Sequence, residues 1–185
     1  MSGIFVNYER LEEIYISKFN TTNVIDMSYM FQYCESFFRI ELRNLRTPNV
    51  KNMSYMFNGF SIMHFEISSM TTNNVVDMSH MFEDASLMIL DVSNFNTDKV
   101  KNFAYIFKGC NSMRLNLAKF DTSKAKDMSQ MFELCTSVRE LKIENFNTQN
   151  VENSSVMFKY CSLLESLNLN NFNTKNAKDL SSMLQ

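Results

Sequence analysis

Apolar residues recur along the chain in pairs that flank one polar or variable position: Ile14/Ile16, Ile40/Leu42, Phe65/Ile67, Leu90/Val92, Leu115/Leu117, Leu141/Ile143 and Leu167/Leu169. Alternation over so few residues predicts a short β-strand buried on one face. Three positions after each pair stands a large apolar anchor: Phe19, Leu45, Met70, Phe95, Phe120, Phe146 or Phe172. Two further on comes a threonine every time: Thr21, Thr47, Thr72, Thr97, Thr122, Thr148 and Thr174. A hydroxyl repeated where the chain leaves the strand predicts hydrogen bonds to buried backbone, arranged as a ladder.

A different pattern fills the space between the strands. Asp26, Asn52, Asp77, Asn102, Asp127, Asn153 and Asp179 occupy one column, where only Asp or Asn occurs, as expected of a helix N-cap. After the first of these, Met27, Met30, Phe31 and Cys34 fall at the spacing of one helical face, which predicts a helix of about two turns. The Phe closing each "MSxMF" phrase serves as a ruler: Phe5, Phe31, Phe57, Phe82, Phe107, Phe132 and Phe158, then Leu184. Their spacings are 26, 26, 25, 25, 25, 26 and 26 residues, a fixed period of the kind that stacked repeats produce. The expectation is an α/β solenoid, a right-handed stack of about seven units, each a short parallel strand plus a short helix. It forms one repeat domain over residues 1–185, without evident capping units.

Composition changes this picture in three respects. Three glycines and one proline are few for so many turns, so Asn, Thr, Ser and Asp must do the turning. Fifteen methionines, concentrated in the helical phrase, predict flexible filling between units of unequal length. A formal charge of −2 gives no preference for polyanions, and no apolar run approaches the roughly 18 residues needed to cross a bilayer. Neither nucleic-acid binding nor membrane insertion is expected. The opening "MSGIFVNYER" lacks the basic-then-apolar pattern of a signal peptide.

Catalytic chemistry finds no constellation. Cys34, Cys110, Cys135 and Cys161 share a column with Phe60 and Ala85, so they read as packing thiols. There is no CxxC pair and no Gly-rich phosphate loop, and His64 and His80 stand in different columns. No enzyme activity, cofactor or metal is expected. Binding surfaces are the better candidates. The outward strand face presents Tyr15, Glu41, Glu66, Asp91, Asn116, Lys142 and Asn168, flanked by Arg39, His64, Ile89, Arg114 and Glu140. A second candidate is the helix edge formed by Tyr29, Tyr55, His80 and Tyr105, and a third the basic cluster Lys99, Lys101, Lys124 and Lys126.

The run Phe158-Lys-Tyr-Cys161-Ser-Leu-Leu164-Glu-Ser-Leu167-Asn-Leu169-Asn-Asn-Phe172-Asn-Thr174, together with the recurring "NMSxMF", resembles the BspA-like leucine-rich-repeat surface proteins of bacteria and some protists. The resemblance spans the whole chain. It implies a leucine-rich-repeat-like solenoid, a location at the cell surface or outside the cell, and an adhesive module for a protein or glycan ligand. With no signal peptide in this chain, a cytoplasmic location is the alternative. An intracellular protein-interaction scaffold and an end-to-end self-assembling stack are the alternative functions.

Overall fold

The computed structural model describes residues 1–8, 10–16, 18–42, 45–62, 65–112 and 115–185, with the side chain of Glu41 outside the description. Six short strands are present: β1 (Glu13–Tyr15), β2 (Arg39–Glu41), β3 (Ser61–Ile62), β4 (Ser86–Leu87), β5 (Glu140–Leu141) and β6 (Ser166–Leu167). They pair in parallel two by two, β1 with β2, β3 with β4 and β5 with β6. Leu90 and Leu115 add an isolated parallel bridge. Among the described residues there is no helix. The expected α/β, leucine-rich-repeat-like solenoid of strand-plus-helix units is therefore wrong, and the parallel strands form three separate pairs.

What replaces each predicted helix is a run of turns bonded sideways to the next repeat. Numbering the repeats 1 to 7 by the landmarks Phe5 to Phe158, repeat 2 shows the pattern. Met27, Tyr29, Phe31 and Tyr33 donate their N–H groups to the carbonyls of Asn52, Ser54, Met56 and Asn58 at 2.8–3.0 Å. The same four donors recur in every later repeat, ending with Ser154, Val156, Phe158 and Tyr160 on Asp179, Ser181, Met183 and Gln185. The intervening N–H groups close local turns: Met56 donates to Met53, Asn58 to Tyr55 and Phe60 to Phe57. Ser54 donates to the side-chain Oδ1 of Asn52 at 2.9 Å, so every N–H from Met53 to Phe60 is satisfied.

Two residues per repeat make this path possible. Gly3, Tyr29, Tyr55, His80, Tyr105, Gln130, Val156 and Ser182 have positive φ, and so do Asn7, Tyr33, Gly59, Asp84, Gly109, Leu134 and Tyr160, all between 52° and 63°. A left-handed residue every fourth position forbids an α-helix. Spacing explains why the turns win. The strand side of each repeat holds its neighbour at about 4.8 Å, whereas helices pack about 10 Å apart. A unit bonded to the same neighbour on both sides must keep one spacing. The landmark phenylalanines show it: Phe5, Phe31, Phe57, Phe82, Phe107, Phe132 and Phe158 stack ring on ring, with centroids 5.3–5.9 Å apart and planes within 14°. Met27, Met30 and Cys34 are fully buried beside them, in one apolar cluster that runs from Ile16 to Phe158.

Three polar ladders stitch the stack. The Asp/Asn column accepts, at Oδ1, the N–H two residues on at 2.8–3.1 Å in all seven repeats, and its backbones form the parallel bridges from Asp26 to Asp179. The Thr column behaves as the sequence predicts. Thr97 Oγ1, fully buried, donates to the carbonyl of Asp121 at 3.0 Å and accepts its N–H at 2.8 Å. Thr47 and Thr122 do the same to Thr71 and Asn147. A third ladder was not foreseen: Asn94 and Asn145 each reach back to three carbonyls of the preceding repeat.

The strand side is divided into blocks, and the sequence explains where. From landmark to apolar pair the chain counts nine positions in repeats 1 and 2 (Phe5 to Ile14, Phe31 to Ile40). It counts eight in repeats 3 to 5 (Phe57 to Phe65, Phe82 to Leu90, Phe107 to Leu115) and nine again in repeats 6 and 7 (Phe132 to Leu141, Phe158 to Leu167). Among the described residues no backbone bridge joins the apolar pairs across either change of length, and in repeats 3 and 4 the paired strands are Ser61–Ile62 and Ser86–Leu87, ahead of the pairs Phe65/Ile67 and Leu90/Val92 where strands were expected. Two grooves lie at these seams: one of about 440 Å³ by Phe37, Phe38 and Ser61, the other of about 700 Å³ between Leu115–Ala118 and Ser137–Lys142.

Candidate functional site

The outward face of the strands carries most of the residues singled out from the sequence. Tyr15, Arg39, Glu66, Asp91, Asn116, Lys142 and Asn168 are all exposed there. His64 and Arg114 lie outside the described residues, as does the side chain of Glu41. Several of these groups serve the backbone. Asp91, Asn116 and Asn168 accept the N–H two residues on at 2.9–3.2 Å, and Glu66 accepts the Ser68 hydroxyl at 3.0 Å. The hydroxyl and N–H of Ser93 hold the Asp91 carboxyl below its ordinary range. Tyr15 donates to Glu13 at 3.0 Å.

The 700 Å³ groove gathers Asn116, Lys142, the flanking Glu140 and the pair Leu115/Leu117 with Val138, Arg139 and Leu163, which the sequence reading left out. Leu117 and Val138 form its buried floor, and Arg139, Glu140 and the exposed Leu163 stand around it. Arg139 pairs with Glu165 at 2.5 Å and Lys142 with Glu140 at 3.8 Å. All four are well exposed, so these pairs hold little energy and can exchange partners. The same face bears large apolar side chains open to solvent: Phe38 is 80% exposed, Met88 59% and Ile89 51%. Ile89 was visible as a flanking position. Phe38 and Met88 occupy the column just before it, which the sequence reading did not single out.

The predicted helix edge is a turn edge, and its aromatics do come together. Tyr29 stacks on Tyr55 at 4.7 Å, Tyr55 on His80 at 4.1 Å and His80 on Tyr105 at 4.2 Å, with planes within 14°. Gln130 Nε2 donates to the Tyr105 hydroxyl, which ends the stack. The rings cover one another's faces and offer mainly edges to solvent. Beside them runs a polar column. His80 Nδ1 lies 2.7 Å from Glu83, Lys108 reaches Glu83 and Glu133 at 3.9 and 3.2 Å, and Lys108 also sits 5.2 Å over Tyr105. Burial, together with nearby Tyr29 and Glu83, pushes the Tyr55 phenol up. These mutual contacts make the edge a structural seam filler more than an open site.

The remaining candidates separate. The thiols of Cys34, Cys135 and Cys161 point at the carbonyls of Phe5, Phe107 and Phe132 at 2.7–3.0 Å. All four cysteines are free, and burial raises each thiol, that of Cys110 to about 11. Such thiols are poor nucleophiles. Of the basic cluster, Lys99 donates to Asn74 at 2.8 Å and Lys126 pairs with Glu152 at 3.1 Å, so two of its four members are tied into their own surface. No helix of the described residues is long and apolar enough to cross a membrane.

No curated protein and no solved structure matches the chain. A repeat family does. Three overlapping stretches, residues 1–88, 38–141 and 103–185, match the family described as "Mycoplasma protein of unknown function, DUF285"; together they cover the whole chain, which belongs to that family.

Proposed function

We propose that the chain is a non-enzymatic binding module that presents its strand face to a protein ligand at the cell surface, in the manner that its resemblance to BspA-like adhesins implies. One observation carries the reading: Phe38, Met88 and Ile89 stand out into solvent on that face, although the apolar pairs beside them, Ile40/Leu42 and Leu90/Val92, are buried. Exposed apolar groups set among charges are the composition of a protein-docking surface. Methionine adds adaptability to such a surface. The charged neighbours Arg39, Arg139, Glu140 and Lys142 supply a polar rim whose weak pairs can be traded for a partner's.

The test is an array of matrix proteins, cell-surface proteins and glycans probed with the intact chain and with a Phe38→Ser/Ile89→Ser variant. Binding to a protein that the double variant loses at least tenfold supports the reading. Binding that the variant leaves unchanged, or glycan binding alone, overturns it. Protection of the protein from protease added outside intact cells would overturn the surface location.

A further inference from the structure

From the layout of the strand face we infer that its partner is a second copy of this chain, docked face to face with the two stacks running in opposite directions, Phe38 of each copy seated in the groove between repeats 5 and 6 of the other. This inference rests on the binding role proposed for that face and names its partner. Three observations carry it.

The first is placement. A two-fold axis lying along the strands of repeat 4 brings repeat 2 opposite repeat 6 while keeping each residue column opposite its own column. Phe38, in repeat 2, then lies over the column of Arg139, which borders the groove. Among the described residues the ring is the most exposed large apolar group, and the groove, of about 700 Å³, has Leu117 and Val138 as its floor. The knob thus stands two rungs from repeat 4, over the repeat 6 wall of a socket centred one and a half rungs away on the other side, so the ring enters by leaning half a rung, about 2.4 Å, toward repeat 5.

The second is what repeat 4 itself offers. Met88 and Ile89, 59% and 51% exposed, fall on the axis, where each meets its own mate in the other copy. Self-contact of this kind favours apolar groups and penalises charge. The third is charge across the pair. Arg39 of one copy lies opposite Glu140 of the other, twice by symmetry. The like-charged meetings are tempered: Asp91 meets its mate near the axis but is engaged by Ser93 with Lys119 nearby, and Glu12 meets a Glu165 already held by Arg139.

The face is small. Seven rungs at about 4.8 Å and a strip about 15 Å wide give roughly 500 Å² per copy, at the low end of specific interfaces. Pairing between isolated chains is therefore weak, and display of many copies on a surface would strengthen it.

Sedimentation velocity of the intact chain from about 1 μM to about 1 mM tests this. A monomer–dimer equilibrium is expected, with Phe38→Ser weakening it about tenfold or more. Arg39→Glu and Glu140→Arg should each weaken it severalfold, and the two together should restore it to within about twofold. Asp91→Asn, which keeps an oxygen for the Ser93 N–H, should tighten it. A chain that stays monomeric, that grows beyond two copies, or whose dimer ignores Phe38→Ser or the charge exchange overturns the inference. If the chain stays monomeric while the array still yields a protein ligand lost with Phe38→Ser/Ile89→Ser, self-pairing fails and the binding role stands.

Discussion

At the scale of single residues, the decisive fact is a backbone angle. Of the fifteen positive-φ positions among the described residues, only three are glycine, and these are all the glycines the chain has. Their columns were therefore marked in the sequence, by Gly3, Gly59 and Gly109, but the mark is diluted by Tyr, His, Gln, Val and Leu at equivalent places. Val156 bears the largest cost, since a β-branched side chain suits that region least. Val156→Asn should raise stability by about 1 kcal/mol, seen as a higher denaturation midpoint. Gly59→Ala should lower it by about 1–2 kcal/mol, because φ is positive and a Cβ there would fall inside the Tyr33 ring. The Thr ladder was legible in six of its seven members, Thr21 to Thr148, because a small hydroxyl repeated at one place has few other physical uses; the seventh, Thr174, is exposed. Thr97→Val should cost about 1–3 kcal/mol by orphaning both backbone groups of Asp121, against under about 0.5 kcal/mol for Ser93→Ala on the exposed face. Burial raises Cys110 to about 11, above its usual 9.0, so the fold favours the neutral thiol. That contribution is complete below pH 9 and is lost as pH rises through 11. The denaturation midpoint should fall over that window, and less so in Cys110→Ala.

At the scale of elements, sequence reading placed the right side chains inward for the wrong reason. Met27, Met30, Phe31 and Cys34 are buried whether the backbone coils as a helix or steps through turns. Hydrophobic spacing cannot separate the two paths, because both return to the core after three or four residues. What separates them is where the N–H groups go, and that depends on the neighbouring repeat. The same is true of the strand blocks. The step from nine to eight positions, and back again, was countable, yet its effect appears only when two repeats are laid side by side. It can be reversed by design. Deleting Thr136 puts Val138 and Leu141 at the positions held by Ile62 and Phe65 in repeat 3, so repeat 6 joins the eight-position block. The groove between repeats 5 and 6 should then close and the seam move to repeats 6 and 7. Amide exchange should slow at Leu115 and Leu141 and quicken at Glu140 and Ser166.

At the scale of the whole molecule, period and columns were legible in the sequence, and the identity of the outer surface was not, since exposed residues obey no packing rule that a single chain can reveal. Phe38 shows the difference. Its burial was the natural expectation for a phenylalanine, and only the built surface shows it standing free. Because each repeat touches chiefly its neighbours, loss of a central ring should be felt on two sides and loss of an outer one on one side. Phe107→Ala should cost about 3–5 kcal/mol and Phe5→Ala, half-buried and stacked on Phe31, markedly less, by comparison of unfolding midpoints. The change of spacer length has a consequence for assembly of the chain itself. Seven phrases that read almost alike could join in any order while folding, and a phrase that bonded two places too far along would trap the rest. A nine-count phrase laid against an eight-count one cannot close both of its flanks at once. The two interruptions thus act as punctuation, telling a nascent chain which sentence follows which.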